Sequence, residues 1–559
     1  MGSENNYDFV IVGGGPAGCA LAVGLAKSAQ RPQVLLLEAG GRNDDKTLRI
    51  DGKRWTTFME ENLNWGYKTT PQEHCNGREL DYSRGKGLGG SSAINFGVYS
   101  VGARDDYNEW ASGVDDDTFG WKEMQTRFKN LETFNAGVTL AENKKYANSV
   151  ASDHGNSGAL RVGYAEDWER DLSLALDAFE AAGHKLNLDH NSGNPLGMAA
   201  TINSAYKGKR TTAADLLSGA PDNLVVVTDS PVRRILLQGK KAVGFASRDV
   251  ILSAGSLDTP KILMHSGIGP AADLKKFNVP VVNDLPAIGQ GLRDHYFVPL
   301  ILARKPETND RNSFFQDPAA METAMRQWED DNTGLWTRYG CQVGSGWFKS
   351  DRITSSPEFK ALPASVQEFM NRETVPHYEM ASHLPFHLLM PDMFKDYSYL
   401  GLAAFMMNEQ SRGEVRLQSS DPEVPLLFNP RFLEDPFDRR ACIEIYRHLL
   451  EVSRQECFAK DTISTLIGPA SDSDEDILQF WKNFLSSSWH MTGTVKMGKL
   501  DAGDAAVDTH FRVQGMEKLR VADMSVVPVL TNNHTQATAY VTGVTCAEVL
   551  IKEYGLDKQ

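Results

Sequence analysis

The sequence predicts an α/β protein of two domains, one built on a parallel sheet and the other an α+β unit with a mainly antiparallel sheet. Three observations predict this architecture. The chain opens with a strand–helix–strand pattern between Tyr7 and Glu38, which is typical of a parallel sheet. Between residues 301 and 490 the composition shifts toward aromatic residues, methionines and scattered prolines. A strand, a loop and a helix return after residue 519.

The length of the chain also favours two domains, because 559 residues exceed what one hydrophobic core normally supports. The first domain is predicted to be discontinuous. We assign residues 1–160, 205–300 and 495–559 to it, and residues 161–204 and 301–494 to the second domain, which would bind the substrate.

The charge balance excludes two classes of partner. The formal net charge is −15, whereas a nucleic-acid-binding face needs an excess of Lys and Arg. The same acidity disfavours docking on an anionic membrane surface. No run of the chain reaches the roughly 18 apolar residues that a membrane span requires. We therefore expect neither a nucleic-acid partner nor a membrane span.

The cysteines and the glycosylation pattern indicate an intracellular protein. The six cysteines form no CxxC pair, so we expect buried, reduced thiols rather than disulfides or metal ligands. No basic-then-apolar leader precedes the first strand. The single N-x-S/T sequon, at Asn533, falls in the predicted active site rather than on a surface loop. We predict a cytoplasmic location and a monomer or homodimer.

The first glycine-rich turn has the mechanics of a dinucleotide-binding motif. Gly13, Gly15 and Gly18 follow the apolar strand from Tyr7 to Val12 and precede a predicted helix from Ala17 to Ser28. These glycines permit a tight turn and close approach of a pyrophosphate to the helix N-terminus. A purely structural turn is the alternative, but the strand, the helix and a later acidic residue are all in register. The pattern predicts a Rossmann-like domain.

The acidic residue is Glu38, 20 residues beyond Gly18 at the end of the strand that starts at Gln33. Its carboxylate can accept hydrogen bonds from ribose hydroxyls, and it would repel a 2′-phosphate, which disfavours NADP. The other residues of this region that we expect to contact the cofactor are Pro16, Ala17 and Ala39.

A second glycine-rich loop runs from Arg84 to Asn95. Two such loops, about one folding unit apart, indicate a long cofactor that is held at both ends. The residues of this loop that we predict to bind the cofactor are Arg84, Gly85, Gly89, Gly90, Ser91 and Asn95.

The remaining elements are predicted from apolar runs and capping signals. A last helix is expected from about Gln536 to Tyr554, with Gly555 ending it. A second helix is expected after Ser473, whose side chain would cap it. The predicted later strands are Asn223–Ile235, Arg248–Ser253, Leu402–Met407, Glu414–Leu417 and Leu519–Asp523.

Two long motifs resemble the signatures of the glucose–methanol–choline (GMC) flavin oxidoreductases. The first is the second glycine loop, Gly85-Lys-x-Leu-Gly-Gly-Ser-Ser-x-Ile-Asn95, and the other is Gly255-Ser-x-x-Thr-Pro-x-Ile-Leu-x-x-Ser-Gly-Ile-Gly269. The resemblance implies FAD as cofactor and oxidation of an alcohol. It further implies contacts with adenine through the backbone of Val232, and with the pyrophosphate or flavin through Ala254, Asp523, Met524, Thr535, Gln536 and Ala537.

Two histidines, His490 and His534, occupy the positions of the family's catalytic pair and lie 44 residues apart. An alcohol becomes a good hydride donor only as its hydroxyl proton leaves, so a neutral imidazole must accept that proton. The resemblance makes His490 this base, with hydride passing to flavin N5, and His534 the residue that holds the substrate oxygen. A structural role for both is the alternative. The other histidines, among them His295 and His387, have no ligand spacing, so we expect them to be structural or on the surface, and we expect no metal site.

The resemblance leaves the reaction partly open. Some relatives attach FAD through a histidine in the second glycine loop, whereas Ile94 stands there in this chain, so we expect non-covalent FAD. The predicted partners are a small-molecule alcohol and either oxygen or another electron acceptor. The alternatives are a non-redox lyase or cyclase that uses the same pocket, and a catalytically silent flavoprotein.

Overall fold

A five-stranded parallel sheet lies at the centre of the region that carries both glycine loops. The computed structural model describes residues 7–137, 141–244, 246–386, 398–499 and 503–558. In spatial order, the strands of this sheet are Leu519–Val521, Ala246–Leu252, Tyr7–Val12, Val34–Leu37 and Leu224–Val227. This sheet draws strands from both ends of the sequence. The region that contains the glycine loops is therefore discontinuous in sequence.

The first and last helices pack together beside this sheet. Pro16–Ala26 is buried along nearly its whole length, and Gln536–Tyr554 contacts it extensively. The close contact needs small residues, since a Cβ on Gly543 would lie 2.1 Å from the Ala17 carbonyl oxygen. The last helix spans the predicted residues and ends at Gly555, which has φ 63°.

The predicted strand Asn223–Ile235 is wrong beyond Val227. The strand ends there because Asp229 adopts a left-handed conformation with φ 54°, and Pro231 follows with no backbone N–H to donate. The chain then runs along the cavity described below as an irregular segment, Ser230–Arg233.

An antiparallel sheet dominates the second region of the fold. Its main path has the spatial order Gly344–Phe348, Tyr378–Ser382, Ser398–Met406, Tyr296–Arg304 and Thr462–Ile467, and Ser486–Ser487 also pairs with Tyr296–Arg304. The predicted strand at Leu402 belongs to this sheet, which is mainly antiparallel as expected. The strand Tyr296–Arg304 crosses the predicted boundary at residue 300, and the domain boundaries stay a prediction.

One row of side chains crosses four strands of the antiparallel sheet. Phe297 is opposite Phe405, Phe405 is opposite Glu379, and Glu379 is opposite Trp347. Residues opposite each other in antiparallel strands point to the same face of the sheet. We call these four residues the cross-strand row, and its two halves differ in chemistry: two phenylalanines on one side, a carboxylate and an indole on the other.

The other elements surround these two sheets. The predicted strand at Glu414 is found at Gly413–Arg416, in a separate sheet with Gln290–Leu292 and Leu427–Asn429. The shorter strand pairs are Glu132–Asn135 with Leu160–Gly163, Ala205–Tyr206 with Lys209–Arg210, Leu237–Gln238 with Lys241–Ala242, and Ile268–Gly269 with Asn283–Asp284; Gly197–Ala200 packs beside Gly344–Phe348.

Helices cover the outer faces of the sheets. The predicted cap at Ser473 is present, with its side chain accepting a hydrogen bond from the Asp476 backbone. The α-helices between the first and the last are Arg104–Val114, Trp121–Leu131, Leu172–Ala181, Gly255–His265, Ala271–Lys276, Arg311–Phe315, Pro318–Asp331, Asp351–Thr354, Pro357–Lys360, Ala364–Asn371, Pro436–Ser453, Glu456–Ala459 and Asp474–Phe484.

All six cysteines are free thiols, as predicted, and five are buried while Cys457 is partly exposed. Within the described ranges, the helices are too short or too polar to cross a bilayer. The same part of the chain contains no group of three or more His, Cys, Asp or Glu side chains arranged to hold a metal ion.

A buried arginine ties the parallel sheet to the last helix. Arg520 donates to Asp249 on the neighbouring strand (Nε to Oδ2, 3.0 Å) and to Glu553 on the last helix (3.2 and 2.9 Å). Partial burial raises the pKa of Glu553, but hydrogen bonds from Arg520 and Arg512 outweigh it and hold that pKa at about 2. The contribution of this carboxylate to stability is complete above its ordinary pKa of 4.5 and is lost as the pH falls toward 2.

We expect Arg520→Leu to lower the free energy of unfolding by about 3–5 kcal/mol, because Asp249 is then left buried without its cationic partner. Chemical denaturation at neutral pH measures the change. The matched control is Arg416→Leu, which removes an exposed arginine paired with Asp273 and costs about 1 kcal/mol or less. Equal losses in the two variants would contradict this account of the buried cluster.

Candidate active site

The two glycine-rich loops touch each other. A Cβ on Gly90 would lie 2.7 Å from the Cα of Gly15, closer than any side chain tolerates, and Gly90 itself has φ 51°. The backbone of Gly89 donates to the Gly14 carbonyl (2.9 Å). The first loop also needs Gly18, because a Cβ there would lie 1.9 Å from the Gly13 oxygen. The glycines are therefore required for two backbone segments to meet.

Glu38 stabilises the contact between the two glycine loops. Its carboxylate accepts three backbone hydrogen bonds: from Gly14 in the first loop (2.7 Å), from Gly40 beyond its own strand (2.8 Å) and from Gly87 in the second loop (3.0 Å). A carboxylate has about four acceptor sites, so one remains for a ligand hydroxyl. The predicted ribose contact stays a prediction, and the structure adds a second role, which is to hold the two loops together.

A large cavity, of about 800 Å³, runs from these loops to the antiparallel sheet. This volume is in the range of small-molecule and cofactor sites. The predicted cofactor-binding residues that line it are Gly13, Gly15, Pro16, Ala17, Glu38, Ala39, Arg84, Gly85, Gly90, Ser91, Asn95, Val232, Ala254, Asp523, Met524, Thr535 and Gln536. Gly18, Gly89 and Ala537 are buried behind this lining.

The cavity walls fit a dinucleotide such as FAD. The N-termini of two long helices, at Pro16 and Gln536, both open onto the cavity, so their free N–H groups favour negative charge on a ligand. Gln536 donates to the Val98 carbonyl (2.6 Å), whereas its buried Oε1 has no hydrogen-bond partner in the part of the chain that the structure describes. Such an acceptor on a cavity wall suits a ligand donor.

His490 enters the cavity from a tightly held loop. Its backbone N–H donates to the buried carboxylate of Asp294 (2.7 Å). The residue before it, Trp489, has φ 57°, which is costly for a bulky side chain and persists only where neighbours enforce it. Here the Trp489 carbonyl accepts from Arg84 (2.8 Å) and its indole N–H donates to Asp81 (2.7 Å). These contacts therefore hold the backbone at His490 in place.

The surroundings of His490 keep it neutral. Burial lowers its pKa well below the ordinary value, and positive charge on His534, His295 and Arg84 lowers it further. A neutral imidazole can accept a proton from a hydroxyl, but this environment gives it little tendency to keep that proton.

His534 faces His490 across the cavity, with ring centroids 5.0 Å apart and the rings nearly perpendicular. Its Nε2 is 2.9 Å from Oε1 of Glu379, a fully buried member of the cross-strand row. Its backbone N–H donates to Ser100 (2.9 Å). The structure thus brings together the two histidines that the sequence predicted and adds a carboxylate behind one of them.

Two of these neighbours were not predicted from the sequence. His295, which we expected to be structural or on the surface, is fully buried with its Nδ1 3.1 Å from Nδ1 of His490. Glu379 was not singled out at all. Both lie on strands of the antiparallel sheet, or directly before one, more than 150 residues from their partners, and no local spacing signals such pairs. His387 lies outside the described residues.

Aromatic rings form the cavity wall around the histidine pair. Phe297 stacks on Phe405 (centroids 4.9 Å apart), and the Phe405 ring is 6.2 Å from that of His534. Phe96 packs edge-on against Trp489 at 5.4 Å, and Phe58 is 5.8 Å from the same indole. All four phenylalanines and the indole line the cavity. The space next to the histidines is therefore suited to a flat or apolar group.

Comparison with known proteins identifies the class to which this fold and site belong. The GMC oxidoreductase family models match residues 7–297 and 409–543, which together make up more than half of the chain. The protein belongs to the GMC oxidoreductase family. It is a flavoprotein oxidoreductase with FAD as cofactor, as the two signature motifs implied.

Individual relatives cover almost the whole chain. A pyranose dehydrogenase of Leucoagaricus meleagris is 30% identical over 99% of this chain and 94% of its own length. An acceptor-dependent alcohol dehydrogenase of Pseudomonas putida is 30% identical over 98% and 96%, respectively. Among solved structures, the formate oxidase of Aspergillus oryzae RIB40 has a TM-score of 0.88 at 25% identity and covers 98% of both chains.

We expect Gly90→Ala to abolish FAD binding, because the added Cβ would force the two glycine loops apart. The absorbance of protein-bound flavin after desalting measures it. Gly113→Ala is the matched control, since its Cβ would meet no atom within 4 Å, and this variant should retain FAD fully. Full occupancy of the Gly90 variant would show that the loop contact is dispensable.

We expect the FAD to be held without a covalent bond, because Ile94 offers no nucleophile at the position where some relatives attach the cofactor. Precipitation with acid should release the flavin into the supernatant. Flavin that remains in the washed pellet would contradict this prediction.

Proposed function

We propose that the protein oxidises an alcohol to a carbonyl compound, with His490 as general base and His534 assisting. The observation that carries the proposal is the pair itself: two imidazoles 5.0 Å apart on the wall of the one large cavity that the described residues form around the predicted FAD site. Similarity to relatives named as alcohol, pyranose and choline dehydrogenases supports the same reaction class.

The residues of this chain would handle the proton of the reaction. FAD, when bound, supplies the acceptor for the hydride that leaves the carbinol carbon. His490 would take the hydroxyl proton, because burial keeps its imidazole neutral and its fixed loop holds the ring in the cavity. Its Nδ1 is occupied by His295 (3.1 Å), which leaves Nε2 for the substrate.

His534 would orient the substrate oxygen. The buried Glu379 carboxylate accepts from Nε2 of His534, so it fixes the tautomer and the ring orientation in the way that an acidic residue orients the histidine of a catalytic triad. In the neutral ring the Nδ1 atom of His534 is then an acceptor, and it would meet the alcohol through the hydroxyl hydrogen. The pair would hold the alcohol between two imidazoles, each oriented by a partner outside the cavity.

The aromatic wall favours an alcohol with an apolar or aromatic group next to the carbinol carbon. Sugar hydroxyls need several polar partners, whereas Phe297, Phe405 and Trp489 offer ring faces and edges. Oxygen or another acceptor would take the electrons onward. The cytoplasmic location and the monomeric or homodimeric state stay predictions.

A panel of benzyl alcohol, 1-hexanol, glucose and choline tests the substrate class. Each compound is mixed with the protein under anaerobic conditions, and the loss of flavin absorbance is measured. We expect benzyl alcohol or 1-hexanol to bleach the flavin fastest. Bleaching by glucose alone would overturn the substrate class while preserving the reaction. If none of the four bleaches it, the non-redox lyase or cyclase, or the silent flavoprotein, becomes the better description.

We expect His490→Ala to bind FAD normally but to be reduced by the best alcohol of the panel about 10²- to 10⁴-fold more slowly, which is the usual effect of losing a general base. Stopped-flow absorbance under anaerobic conditions measures the rate. His184→Ala is the control, because this histidine packs against Phe348 outside the cavity lining. A reduction rate near that of the unmodified protein would remove His490 from the mechanism.

A further inference from the structure

A group of buried polar side chains lies behind His534, outside the cavity lining. Glu379 and Trp347 are opposite each other in the cross-strand row, and the ring of His190 is 5.4 Å from that of Trp347. All three side chains are fully buried. We call Glu379, Trp347 and His190 the rear cluster; His534 joins it to the cavity, 2.9 Å from Glu379 and with its ring 6.4 Å from Trp347.

The rear cluster has buried polar atoms without partners. Within the described ranges, Oε2 of Glu379 and Nε1 of Trp347 make no hydrogen bond, and neither ring nitrogen of His190 makes one of good geometry. The Tyr99 carbonyl, which accepts from the Asn191 side chain (3.0 Å), also lies beside His190 and raises its pKa as a hydrogen-bond acceptor. Buried donors and acceptors are rarely left unpaired, and ordered water with two to four polar partners is the usual remedy. The cluster offers donors and acceptors in the right number for such water.

The low pKa of His490 favours transfer of the proton away from the histidine pair. Burial and the charges around His490 lower its pKa, so a proton taken from an alcohol is held there weakly. His534 lies next to it and already shares a hydrogen bond with the Glu379 carboxylate. The second oxygen of that carboxylate has no partner elsewhere in the described structure, which leaves it available as an acceptor on the far side.

His190 has the properties of a relay rather than a store. Burial lowers its pKa to about 4 despite the neighbouring Asp189 carboxylate, and positive charge on His154 and His534 acts in the same direction as burial. A neutral imidazole has one donor and one acceptor nitrogen, so it can take a proton at one and release it from the other.

We propose that Glu379, Trp347 and His190 hold ordered water that conducts the alcohol's hydroxyl proton away from the histidine pair, with Glu379 the first acceptor beyond His534 and His190 the next relay. This inference rests on the proposed function. Each transfer breaks one O–H or N–H bond and forms another. The two electrons leave the alcohol with the hydride, and the proton rejoins them when oxygen or another acceptor is reduced. Glu379 and His190 touch no substrate, so both are positioning and relay residues.

The first test needs no alcohol. A high-resolution crystal structure of the FAD-bound protein should show at least one ordered water within hydrogen-bond distance of Oε2 of Glu379 and of a ring nitrogen of His190. A dry contact between these side chains, or water absent from both, would overturn the proposal even if alcohol oxidation is established.

The second test uses the best alcohol of the panel. We expect Glu379→Gln, whose amide keeps the hydrogen bond to His534 but cannot accept the proton, to slow steady-state turnover more than single-turnover flavin reduction. Glu169→Gln, a buried carboxylate paired with Arg311, is the control and should match the unmodified protein. Equal slowing of both phases, or no slowing of either, would remove Glu379 from the path.

The third test separates relay from structure. In His190→Phe we expect steady-state turnover of the best alcohol of the panel to fall about 10-fold or more, in the range for losing an outer-shell hydrogen-bonding residue, while single-turnover flavin reduction stays nearly unchanged. His190→Gln, which keeps a donor and an acceptor, should recover part of the loss. Equal slowing of both phases indicates a structural role, and unchanged turnover excludes a relay; either result overturns the part given to His190.

If no alcohol reduces the flavin, the proposed function fails, but the crystal structure still decides whether the rear cluster holds ordered water. His184→Phe serves as the control for the aromatic substitution, since this ring packs on Phe348 and makes no contact with the histidine pair among the described residues. Its turnover should equal that of the unmodified protein.

Discussion

The active region depends on one carboxylate. Glu38 accepts hydrogen bonds from the backbone of Gly14 and Gly87, one in each glycine loop, and from the adjacent Gly40, and the first two bonds hold the loops in contact. The contact leaves no room for a side chain at Gly90. Without this contact the backbone N–H groups of the two loops would not be held next to each other. The cavity and the helix N-terminus at Pro16 are built around this junction.

Local sequence predicted the parts of the site that local geometry determines. The glycine loops, the strand from Tyr7 to Val12 and the last helix were predicted because each depends on neighbouring residues: a turn that needs positive φ, an apolar β-branched run, a Gly at the helix end. The strand beyond Val227 was predicted wrongly, because apolar residues at 232 and 235 outweighed the turn signals at 229–231.

The partners of the catalytic histidines could not be predicted in this way. His295 and Glu379 reach His490 and His534 only through the register of the antiparallel sheet, and a shift of one residue would turn either side chain to the opposite face. Such placement depends on how strands of different regions pair, which no spacing along the chain encodes. The cross-strand row shows the result, with aromatic rings at the substrate side and polar groups behind them.

The cavity has a consequence for the life of the protein in a cell. An opening of about 800 Å³ between two sheets deprives many side chains of packing partners until a ligand fills it. Binding to the folded state alone stabilises a protein by roughly 1.4 kcal/mol for each tenfold excess of ligand over its Kd. Marginally stable chains are continuously removed by proteases. The stability of this chain, and with it the lifetime of the chain in a cell, should therefore rise with the concentration of FAD.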